Sequence, residues 1–93
     1  MPGSSLRYIR HRPVREERMD DVLFLIDEEG HAIHMLDTIG MGIWALLAEP
    51  TSVADAKSVL KTAFPGVSAQ RIARDADALF ADLDAAELIK HVS

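Results

Sequence analysis

The side chains able to do chemistry in this chain are carboxylates, imidazoles and hydroxyls. It carries 15 Asp and Glu, four His and no Cys among 93 residues. Without a thiol there is no disulfide, thiolate metal site, iron–sulfur ligation or cysteine nucleophile within the chain. His31 and His34 are the closest imidazole pair. Three apart on a strand, they project to opposite faces and do not share a metal. His11 and His91 have no partner at a useful spacing. Asp75, Asp77, Asp82 and Asp84 crowd one stretch. Nothing in the spacing brings a nucleophile or an orienting group to them, so a solvated helix face accounts for these carboxylates. Gly40-Met41-Gly42 lacks the further glycine and the lysine of a phosphate-cradling loop, and close helix packing accounts for its small residues. The expectation is a protein that is not an enzyme and uses no metal and no cofactor.

The net charge of −5 is unevenly spread. Residues 1–18 hold five arginines against Glu16 and Glu17, whereas residues 19–93 hold five bases against thirteen acids. The N-terminal arm is thus basic and the body acidic. An acidic body repels phosphate backbones, so nucleic acid is not the expected main partner. The arginine arm reads as a solvated edge, with a partner's acidic surface as its competing use. No stretch is long and apolar enough to span a bilayer, and none resembles a signal peptide. Together with the missing cysteines, this suits the cytoplasm and no membrane partner.

Elements must position these residues, and 93 residues allow one domain, 1–93. Residues 1–6 are expected to be flexible, since Met1–Ser5 is rich in Pro, Gly and Ser. Leu6–Arg18 offers one or two short edge strands, broken by Pro13. Val22–Ile26 is a continuous apolar run whose β-branched and aromatic content favours a strand, followed by a turn at Asp27-Glu28-Glu29-Gly30 and a second strand over Ala32–Leu36. That second strand carries polar His34 inside it and is suited to a sheet edge. Asp37 or Thr38 caps a helix whose Ile39, Ile43, Trp44 and Leu47 share one face. Ser52 caps a second helix with Val53, Ala56, Leu60 and Phe64 at helical spacing, ended by Pro65-Gly66. Ser68 opens a third, running to about Ala86, with Ile72, Ala76, Leu79, Phe80 and Leu83 as its stripe. Leu88–Val92 returns to the core as an extended tail. A hairpin and then three helices give an α+β, winged-helix-like domain.

The order of several short patterns resembles the PqqD family. They are the strand ending in Leu36-Asp37, the helix start with Ile43-Trp44 and Leu46-Leu47, and Ser52-Val53. Asp75 with Leu79, Phe80 and Leu83, and then Leu88-Ile89, complete the series. The likeness extends over roughly Val22 to Val92. It departs at Asp37, where Asn is usual, at Glu49-Pro50, where Asp-Gly is usual, and at Glu87, where Gly often ends the third helix. The resemblance implies an N-terminal three-stranded antiparallel β-sheet ahead of the three helices. It also implies a RiPP recognition element, a peptide chaperone of the kind used in coenzyme PQQ synthesis. Such a domain binds the leader of a ribosomally made precursor peptide and presents it to a modifying enzyme, often a radical S-adenosylmethionine enzyme. The leader adds as a strand to Ala32, Ile33, His34, Met35 and Leu36. It lies against a helix wall of Arg71, Asp75, Ala78, Leu79 and Asp82.

Two other readings use the same elements. One is a winged-helix DNA-binding regulator, which the aspartates of the third helix oppose, since base-reading helices present Arg, Lys, Asn or Gln. The other is a homodimer, formed when an exposed edge strand pairs with its own copy.

Overall fold

The computed structural model describes residues 6–92, so the start at 1–5 lies outside it. In chain order the elements are β1 (Arg7–Arg10), β2 (Arg15–Met19), β3 (Val22–Asp27), β4 (Ala32–Leu36), α1 (Thr38–Leu46), β5 (Thr51–Ser52), α2 (Val53–Ala63), α3 (Ala69–Ala85) and β6 (Ile89–Val92). The fold is α+β, with three helices and two three-stranded antiparallel sheets among the described residues. Among those residues no helix is long and apolar enough to cross a membrane.

The N-terminal sheet is a meander in the order β2-β3-β4. A two-residue turn joins β2 to β3, with Asp20 at φ 54°, as tight hairpin turns require at their first position. The second hairpin is shifted one residue from the sequence reading. Strand β3 runs through Asp27, the loop is Glu28–His31, and the left-handed residue is His31 (φ 55°), not Gly30. His31 therefore lies in the turn and never shares a strand with His34. The shift has a local cause: Asp27 accepts from the Gly30 N–H at 3.1 Å and holds the loop from inside.

The second sheet, β5-β1-β6, was not foreseen. Strand β1 is its centre rather than an edge, since Arg7–Arg10 pairs with Ile89–Val92 on one side and Thr51–Ser52 on the other. The extended tail is what turns an expected edge into a middle strand. Pro13 separates β1 from β2, as a residue without an N–H must.

Local rules set the helices. Asp37 caps α1 by accepting from Gly40, Ser52 caps α2 by accepting from Asp55, and Ser68 caps α3 by accepting from Arg71. The buried faces are Ile39, Ile43 and Trp44 on α1, Ala56 and Leu60 on α2, and Ile72, Ala76, Phe80 and Leu83 on α3. They meet Leu23, Leu25 and Leu36 of the meander in one core, with Leu47, Leu88 and Ile89. Glycines let α1 come close. A Cβ on Gly42 would stand 3.0 Å from Leu60 Cδ2, and one on Gly40 3.1 Å from Leu36 Cβ.

At the end of α3 the Leu88 N–H donates to Leu83 at 2.9 Å and the Glu87 N–H to Asp84 at 3.0 Å. This is a Schellman motif, and Leu83 and Leu88, both fully buried, make its apolar contact. Its left-handed residue is Glu87, at φ 62°. Two arginines of the basic arm are not a solvated edge. Arg12 donates to Asp27 (2.9 Å), to Glu29 (3.1 Å) and to the carbonyls of Ala86 (2.7 Å) and Glu87 (3.3 Å). Arg10 lies over the Trp44 ring, 4.3 Å from its centroid, and donates to the Trp44 carbonyl. The Trp44 indole N–H in turn donates to Glu16 at 3.0 Å.

Candidate functional site

A groove of about 270 Å³ opens between the end of β4, the start of α1 and the exposed side of α3. Its volume suits one or two side chains of a ligand. Met35, Leu36, Asp37, Gly40, Ile43, Asp75, Ala78, Leu79 and Asp82 line it. Its floor is apolar because Leu36 and Ile43 belong to the core stripes of β4 and α1. Leu79 sits at the margin of the α3 stripe, half-buried between core and solvent. Ala78 keeps that wall low.

The groove runs beside a free strand edge. β4 pairs only with β3 among the described residues. The two-residue turn fixes which backbone groups are free. The pair flanking such a turn, Met19 and Val22, is hydrogen-bonded, so Val22 directs its N–H and C=O toward β2. Backbone direction alternates along a strand, so Leu23, Leu25 and Asp27 direct theirs toward β4. Through the register, Leu36, His34 and Ala32 answer them. Ile33 and Met35 are left with N–H and C=O directed off the sheet.

Charge is arranged around the mouth. Asp37 accepts from Gly40 through one oxygen, and its other oxygen lies 3.8 Å from Arg71. Arg71 also contacts Asp75 at 3.4 Å. Asp82 has no ion pair among the described residues. One arginine thus bridges two carboxylates at one end, and a third carboxylate stands alone at the other.

Of the ten residues that the family resemblance implied, Met35, Leu36, Asp75, Ala78, Leu79 and Asp82 line this groove together. Arg71 stands at its end. Ala32, Ile33 and His34 lie farther up β4. Ile33 turns to the outer face of the sheet, while His34 turns inward with its Nε2 buried and unpartnered among the described residues. Asp37, Gly40 and Ile43 were missed as lining residues. Their signal was present but read only as helix start and core, because the groove exists only once α1 is docked beside β4. Of the other α3 carboxylates, Asp77 pairs with Lys57 at 3.0 Å, away from the groove. The Gly40-Met41-Gly42 stretch spends one of its free N–H groups on Asp37.

No curated protein and no solved structure matches the chain. One family model does, that of coenzyme PQQ synthesis protein D (PqqD), over residues 23–89. The match starts in β3 and ends at the first residue of β6, so it takes in both walls of the groove and leaves out β1 and β2. With most of its length matched in this way, the chain belongs to the PqqD family.

Proposed function

We propose that the protein is a non-catalytic peptide chaperone. It captures the leader of a ribosomally made precursor peptide as an added strand on β4 and presents the rest of the peptide to a modifying enzyme. A radical S-adenosylmethionine enzyme is the kind that the family resemblance implies. The observation that carries this reading is the apolar groove lying directly beside unpaired backbone groups. Main-chain bonds to Ile33 and Met35 give affinity with little dependence on sequence, and the groove selects the side chains that turn toward α3. Arg71 suits an acidic leader residue at one end, and Asp82 a basic one at the other. DNA recognition finds no support in α3, which exposes Asp77, Asp82 and Asp84.

The test is a titration of isotope-labelled protein with the leader of a precursor peptide encoded beside its gene, read by backbone NMR. Shifts concentrated on Ala32–Leu36 and on the α3 residues facing them are expected. They should weaken little between low and moderate salt, unlike binding to a polyanion. Unchanged spectra at about 500 µM leader, a concentration that saturates even weak complexes, would count against the reading.

A further inference from the structure

The meander has two faces, and among the described residues only one is covered. Cross-strand neighbours share a face, so the register sorts the uncovered side into rungs. One rung is Arg15, Ile26 and Ile33, and the next is Glu17, Phe24 and Met35. Met19 and Val22 close the end. Met35, Ile33 and Met19 are 69%, 66% and 64% exposed. They are contiguous with half-buried Phe24 and Ile26, which makes a patch rather than scattered residues. A patch of this kind marks a protein contact.

We propose that this face joins two copies of the chain, sheet against sheet. The order of the rungs names the occupant. Consider a two-fold axis lying across the strands, midway between the two rungs. It sets each rung on the other rung of the second copy. Arg15 then meets Glu17 of the second copy, and Glu17 meets its Arg15. Ile26 meets Phe24, and Ile33 meets Met35. Each contact occurs twice, as an isologous interface demands. A face with opposite charges on adjacent rungs of one strand, and apolar residues on the two beside it, is complementary to itself. Rungs are about 7 Å apart and packed sheets about 10 Å apart, distances that an Arg–Glu pair spans. Within one chain Arg15 has, among the described residues, only exposed bridges, to Glu17 at 3.6 Å and Glu28 at 3.5 Å. Such bridges contribute little, so exchanging partners costs little. The free backbone groups of Ile33 and Met35 lie in the plane of the sheet, so this dimer leaves the β4 edge open. It differs from pairing of two β4 edges, which would close it.

Sedimentation of four versions of the 93-residue chain tests this: the wild type, Arg15→Glu, Glu17→Arg and the double reversal. Both positions are exposed, so all four should fold alike by circular dichroism. The wild type is expected to be dimeric at about 50 µM. Each single reversal should raise the dissociation constant at least about tenfold, since it sets like charges together twice. The double reversal should return it to within about threefold of the wild type. A wild type that stays monomeric at about 500 µM overturns the proposal and leaves the face to a different protein. A dimer indifferent to the reversals also overturns it and points to the β4 edge. So does a double reversal as weak as the singles.

Discussion

Glu87 holds a backbone conformation that side chains avoid. At φ 62° its Cβ crowds the neighbouring carbonyl, a cost of about 1–2 kcal/mol that glycine escapes. The position is fixed from both sides, by the Schellman bonds to Leu83 and Asp84 and by Arg12 on the Glu87 carbonyl. None of these uses the Glu87 side chain. Glu87→Gly is therefore expected to stabilise the domain by about 0.5–1 kcal/mol, after the extra freedom of glycine in the unfolded chain is subtracted. A thermal melt would show this as a rise of about 4 °C, and an unchanged or lower midpoint would contradict it. At this scale the sequence was readable where the physics is local. Ser52 and Ser68 cap helices as their types and positions announced, and of Asp37 and Thr38 it is Asp37 that caps α1, because a cap needs only its own next three residues. Arg12 was not readable, because its acceptors lie at Asp27, Glu29, Ala86 and Glu87, far along the chain.

Among the elements, β4 carries the most specific expectation. Adjacent residues of one strand should respond oppositely to proline. His34 directs its N–H into the ladder with β3, so His34→Pro removes a sheet bond and leaves a buried acceptor on Leu25. That should cost about 2–3 kcal/mol. Ile33 directs its N–H off the edge, where proline is tolerated. Ile33→Pro should change stability by less than about 1 kcal/mol. It should weaken leader binding about tenfold or more, since the added strand loses a bond and meets the ring. Denaturant melts and a calorimetric titration of both variants check this, and equal losses of stability would refute the assigned bond direction. The sequence showed β3, β4 and the three helices because their patterns are periodic or continuous. It gave only a hint of β2, whose five residues are all exposed. It misjudged β1, because a strand is central only by virtue of partners, and those are Thr51–Ser52 and Ile89–Val92.

For the whole molecule, Arg12 is the tie that matters. It joins the linker after β1, the meander at Asp27 and the end of α3 through one planar group, a geometry that a lysine ammonium cannot reproduce. Arg12→Ala should lower the melting temperature several-fold more than Arg74→Ala, which loses an exposed bridge to Asp75, and Arg12→Lys should recover little of the loss. The same tie sets an acid limit. The backbone N–H of Gly30 foremost, opposed by burial and aided by Arg12, holds the Asp27 carboxyl below its ordinary value. A lowered folded value means that Asp27 stabilises the fold fully above the unfolded carboxylate range, near about 4. That contribution fades as pH falls through the lower folded value. Stability measured against pH should therefore drop more steeply below about pH 4 in the wild type than in Asp27→Asn. Parallel curves would show that Asp27 is not the group responsible.

The pairing of β1 with β6 has a mechanical consequence. Arg7 stands opposite Val92 in an antiparallel ladder, so the two ends of the described chain leave from one spot. A force that draws them apart opens that ladder one rung at a time, starting at the outermost, instead of shearing all rungs together. The meander, which shares no ladder with β1, would be loaded only after Arg10 and Ile89 had parted. The same adjacency lets the unit be grafted into a surface loop of another protein, or be permuted with new ends in the Glu28–His31 loop, without stretching either wall of the groove.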